Sequence, residues 1–192
     1  MQRTASIKLD VTPEQASQLT ALQAAYADAC NSLVSVVTVH RCWNRVALHH
    51  LTYARLRQET PLGSQMTCNA IFTVCKAYKA QRERGRIRKE VPVPPLNFRR
   101  ASVHFDKRTY TLRGESVSLY TLTGRIMVRM VLGTYQRQLL AAGLPTEAEL
   151  VHRKRRWYFN LVVKSEDCSL LQSGPVLGVD VGENNLAATS TG

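Results

Sequence analysis

Acidic side chains are scarce in this 192-residue chain: Asp and Glu total 14 against 26 Lys and Arg, a formal net charge of +12. The sequence pI is about 9.9. That balance argues against a basic or neutral partner and favours a polyanion, either nucleic acid or an acidic membrane surface. Long apolar runs are missing too, so no segment reads as a membrane span. Asp10, Thr12 and Glu14 interrupt any apolar region of a secretory signal near the N-terminus. The expectation is a soluble, cytoplasmic protein with no membrane partner. Cysteine is limited to Cys30, Cys42, Cys68, Cys75 and Cys168, with no Cys-x-x-Cys pair. An odd count without that spacing argues against a disulfide framework and against a zinc site within the chain. The thiols read as reduced and buried. No phosphate loop of the G-x-x-x-x-G-K-[ST] type, no H-E-x-x-H and no G-x-S-x-G occurs, and no internal repeat is apparent.

What is present begins with alternation. Ile7 and Leu9 against Lys8 and Asp10 make Ala5 to Val11 a short strand with one wet face. Thr12, Pro13, Glu14 and Gln15 then read as a helix start with a capping box. Leu19, Leu22, Tyr26, Cys30, Leu33 and Val37 recur at three- and four-residue spacing and predict a core-facing stripe. His49 and His50 are adjacent, so on a helix they point apart, and a structural or solvent-facing role is expected. Thr52 to Gln58 predicts a short helix, broken by Pro61, Leu62 and Gly63. Ser64 is expected to cap the next helix, which runs to about Arg84 with Ile71, Val74, Cys75 and Tyr78 inside. Gln65 and Asn69 share one face of it and are candidate base-reading amides, of the kind that pair with adenine edges.

From residue 76 to 100 the charge changes. Lys76, Lys79, Arg82, Arg84, Arg86, Arg88, Lys89, Arg99 and Arg100 face only Glu83 and Glu90. Such a cluster suits phosphate contact and predicts salt-dependent binding. Val91 to Pro95 reads as a stiff extended connector. Beyond it the period becomes two. Ala101 to Phe105 and Thr109 to Leu112 flank Asp106, Lys107 and Arg108, a hairpin signature. Val117 to Leu122 and Arg125 to Leu132 read as strands, and Thr134 to Ala142 as a short helix. Glu149 to His152 and Trp157 to Val163 flank Arg153, Lys154, Arg155 and Arg156. Four cations before Trp157 and Tyr158 suit a strand pair that meets phosphate and stacks bases; the other reading is a soluble turn with core aromatics.

The last stretch carries a carboxylate in an apolar setting: Val176, Leu177, Gly178, Val179, Asp180, Val181. Turn-forming residues follow, and Leu186 to Thr191 can return as a second strand. An ionised carboxylate there needs a partner, so Asp180 is either at an exposed strand end or a ligand.

Gly178 to Gly182, followed by Asn184, Asn185, Leu186 and Ala187, resembles the first RuvC motif of the TnpB family, transposon-encoded RNA-guided DNA endonucleases related to the type V CRISPR effectors. The strand followed by Thr12 to Gln15 is similar to the opening of those proteins. The resemblance implies an α+β fold: a small wedge-like β-barrel with an inserted helical lobe, then the first hairpin of an incomplete RNase-H-like (RuvC) domain. It implies residues 1–11 as the first barrel strand, 12–91 as a helical recognition lobe, 92–172 as the rest of the barrel, and 173–192 as the start of the nuclease domain. It further implies guide RNA and target DNA as partners, and Asp180 as catalytic residue and magnesium ligand. Two-metal hydrolysis needs several converging carboxylates, so the resemblance implies that a second chain or further segment supplies the others. The alternative is a non-catalytic RNA- or DNA-binding module. A basic structural protein fits the order of elements but leaves the Asp180 motif unexplained.

Overall fold

A computed structural model describes residues 1–99 and 101–166, together with the backbone of 179–180 and 188–189. Arg100 and Cys168 lie outside the described residues, as do the rest of the RuvC-like motif and the other residues from 167 on.

Alternation at the N-terminus produces β1 (Gln2–Asp10), three residues longer at its start than the pattern suggested. Ala5, Ile7 and Leu9 point inward and Lys8 and Asp10 outward. Thr12 then caps α1 (Pro13–His40). Its hydroxyl accepts from Gln15 N at 3.2 Å, and Gln15 Oε1 accepts from Thr12 N at 3.1 Å. Each residue of the predicted stripe, from Leu19 to Val37, is buried.

Two more helices follow, α2 (Arg45–Glu59) and α3 (Ser64–Glu83). α2 starts seven residues earlier than the periodicity of 52–58 indicates, because Asn44 caps it by accepting from Val46 N and Ala47 N. α3 corrects the expected cap. Gly63 occupies the cap position, and Ser64 is already the first helical residue. A side chain on Gly63 would run into the Tyr120 ring at 2.7 Å, so close packing rather than hydrogen bonding selects this residue.

The remaining strands are β2 (Val103–Phe105), β3 (Tyr110–Arg113), β4 (Ser116–Thr121) and β5 (Gly124–Val131). After α4 (Thr134–Ala142) come β6 (Leu144–Arg153) and β7 (Arg156–Lys164). They join β1 in a seven-stranded antiparallel sheet of order β2-β6-β7-β1-β5-β4-β3. β2 and β3 do not form the expected hairpin with each other. β2 pairs with β6 and β3 with β4, which puts them on opposite edges of the sheet. Yet only residues 106–109 join them, so the sheet must curl until its edges nearly meet. The Phe159 ring on β7 marks that curl. It touches Phe105 from one edge at 5.9 Å and Tyr110 from the other at 5.4 Å. Asp106 shapes the closing turn, its Oδ1 accepting from Arg108 N and Thr109 N.

The fold is thus α+β, a nearly closed barrel-like sheet with helices α1–α3 inserted after its first strand. Barrel and helices share one apolar core. The Pro-rich connector packs on α3: Val93 is buried, and the Tyr78 hydroxyl donates to Pro94 O and accepts from Leu96 N, both at 3.3 Å. Separately, Val179–Asp180 pairs antiparallel with Ala188–Thr189 as a two-residue ladder, β8 and β9.

Candidate nucleic-acid interface

The helix junctions build a groove. α1 ends at Arg41, whose φ of 50° lies in the left-handed region usually reserved for Gly at this position. Its guanidinium donates to Arg88 O at 2.7 Å and Val91 O at 2.9 Å, tying the basic stretch after α3 to the end of α1. Residues 41–45 and one face of α3 then enclose a cavity of about 840 Å³. Among the described residues five cations line it, Arg41, Arg45, Lys76, Lys79 and Arg82, with Trp43, Phe72, Cys42 and Cys75 and no carboxylate. Arg45 lies over the Phe72 ring at 4.7 Å, and Lys76 Nζ sits 5.2 Å from the same ring. Two nearby carboxylates approach from outside, Glu149 at 4.0 Å from Lys76 and Glu83 at 4.0 Å from Lys79. All four side chains are well exposed, and such pairs hold their partners weakly.

Of the basic residues singled out in the sequence, Lys76, Lys79 and Arg82 meet in this groove. Arg84, Arg86, Arg88 and Lys89 are exposed in the segment that follows, where Gly85 takes a φ of 69° as α3 ends. Arg99 lies elsewhere, beside Phe98 and the Ala24–Asn31 side of α1. Arg153, Lys154, Arg155 and Arg156 are exposed at the β6–β7 turn. Arg41, Trp43, Arg45 and Phe72 were not singled out. Their signal is spread over two segments some thirty residues apart, and only the packing of the 41–45 loop on α3 joins them.

The proposed base-reading pair has other work. Asn69 is 2% exposed and its Nδ2 donates to His104 O at 3.2 Å, so it secures β2 to α3 rather than facing a groove of DNA. Gln65 accepts from Arg108 at 3.2 Å and donates to Asp106, bracing the barrel-closing turn. Trp157 is also core: it is 3% exposed and stacked on His152 at 4.5 Å, while Arg153 covers Tyr158 at 4.6 Å. Of the adjacent histidines, His49 stacks on Tyr53 at 4.6 Å.

Cys30 and Cys75 are poor ligands. Burial pushes Cys75 up to about 11 and Cys30 up to about 12, so both are protonated near neutrality. Among the described residues no group of three or more His, Cys, Asp or Glu is placed to hold a metal ion. Only the backbone of Asp180 is described.

No family model matches the sequence, and no curated protein matches it.

Proposed function

We propose that this chain binds nucleic acid as part of a TnpB-like RNA-guided DNA endonuclease, with guide RNA and target DNA as its partners. The observation that carries the binding part is the groove between residues 41–45 and α3: five cations, two aromatic rings and no carboxylate in its lining. Cations that outnumber their weakly held acidic neighbours attract phosphates, and the Arg45 guanidinium over the Phe72 ring suits an aromatic-lined path for a strand. The order strand, helical insertion, barrel strands supports the family reading. Sequence recognition would come mainly from RNA–DNA pairing, with the protein holding backbone shape. Asp180 would contribute one carboxylate to a magnesium site. Hydrolysis of a phosphodiester would need companion carboxylates from a further segment or a second chain.

A non-catalytic RNA- or DNA-binding module is the second reading. The groove of cations and aromatic rings supports binding on this reading as well.

Fluorescence anisotropy with a labelled 20-nucleotide RNA tests the binding claim. Affinity should fall steeply as salt rises. The double substitution Lys79→Gln, Arg82→Gln should reduce the log–log salt slope by about 1.4, at roughly 0.7 per lost phosphate contact on a single strand. A flat salt response, or an unchanged slope in the variant, overturns it. The 192-residue chain with RNA and magnesium should leave DNA uncut. Cutting that Asp180→Ala abolishes would place a complete nuclease within these residues and reject the second reading.

A further inference from the structure

Among the described residues, three non-glycine positions have a positive φ, and all three are cations: Arg41, Lys154 and Arg155. Arg41 has a visible reason, since its guanidinium holds two backbone carbonyls. Lys154 and Arg155 have none within the described structure. Among the described residues no hydrogen bond or ion pair engages either side chain, nor that of Arg156. They form the two-residue loop between Arg153 and Arg156, the paired ends of β6 and β7, with φ values of 48° and 60°. These values are those of a type I′ turn, which places left-handed residues at both positions, and Asn-Gly meets that demand most cheaply. Here the loop holds two residues whose Cβ atoms resist the conformation. It also sets four like charges in a row, which repel one another. Both features weaken the isolated fold, and an external polyanion would relieve the second of them.

The surroundings supply room for one. The turn borders a cavity of about 580 Å³ against α1, lined by Thr20, Gln23, Ala24 and Ala27 on the helix side and without a carboxylate. Ala24 and Ala27 also line the next cavity along the helix, where Arg99 stands, with Asp28 as its one acidic residue. The two cavities form a trough over the small side chains of α1. From Thr20 to Asn31 it runs about 17 Å, the length of several phosphates at a rise of about 3.4 Å per nucleotide.

We infer that this trough is a second binding site, separate from the helical groove, for the phosphodiester backbone of a nucleic acid strand gripped by the strained cationic turn and Arg99. The inference rests on the nucleic-acid-binding reading above and says where a second segment of strand lies.

The test is Lys154→Asn, Arg155→Gly, which removes two charges and gives the backbone the residues it favours. The variant should unfold at a higher temperature than the parent, by about 3 °C or more. It should nevertheless bind a 20-nucleotide RNA or a 20-base-pair DNA on the order of tenfold more weakly at 0.1 M salt. Arg99→Gln should weaken binding in the same arm, RNA or DNA, which identifies the source of the strand. The charge-only variant Lys154→Gln, Arg155→Gln should lose binding as much while gaining less stability than the Asn-Gly variant, separating strain from charge. If the Asn-Gly variant binds as the parent does while Lys79→Gln, Arg82→Gln binds more weakly, the trough is not a site and the groove stands alone. If the parent binds neither nucleic acid, both readings fall together.

Discussion

His104 stands on β2 with its ring edge-on to Phe72 at 5.2 Å and its Nε2 3.6 Å from Glu147 Oε2. Burial pulls its pKa below the ordinary value of 6.5. Glu147 pushes the other way, Lys76 reinforces the lowering, and Glu149 and Asp106 oppose it. In the unfolded chain the imidazole takes up a proton at higher pH than in the fold. Between the two values the unfolded state binds more protons, so stability is complete above about 6.5 and declines as pH falls through that window. Urea midpoints at pH 7.5 and pH 5 should show this decline, and His104→Gln should flatten it. Equal pH slopes in parent and variant would show that another group is responsible. At this scale the sequence was a partial guide. The apolar stripe of α1 was legible because its periodicity is local. The work of Asn69 and Gln65 was not, because each is decided by residues brought in from some 35 to 43 positions further along the chain, whereas the burial of Trp157 follows the core-aromatic reading of its hairpin.

Elements show the same division. The start of α1 is written in four consecutive residues, and Thr12→Ala should cost about 1 kcal/mol by removing one of its paired caps, measurable by urea denaturation. The end of α4 is set by packing instead. A Cβ on Gly143 would lie 2.5 Å from Val163 Cγ1 and 3.0 Å from Lys164 O, the latter a backbone atom that cannot swing aside. Gly143→Ala should therefore cost about 1–3 kcal/mol, although its φ of −146° suits alanine well. A loss below that range would mean that β7 yields easily. The segment around Asp106 misled for a physical reason. Its composition is that of a hairpin turn, and the chain does turn there. What composition does not encode is which strand each arm then joins.

For the whole molecule, a net charge of +12 means self-repulsion in the native state, concentrated at the β6–β7 turn and after α3. Thermal midpoints should rise as sodium chloride increases from 10 to 200 mM, because screening relieves that repulsion. A falling midpoint would point to the surface ion pairs as the larger contribution. The class and order of elements were readable in the sequence because helical and two-residue periods alternate cleanly along it. The closure of the sheet was not, since it depends on which strands become neighbours. The position of β1 has a further consequence. Its partners are residues 129–131 of β5 and 158–164 of β7, so it occupies an interior place that exists only when those strands do. During synthesis at about 5–20 residues per second, the first strand leaves the ribosome on the order of ten seconds before its last partner. Over that interval α1–α3 can gather against one another, while an apolar-faced ribbon waits unpaired and open to chaperones or to a neighbouring nascent chain.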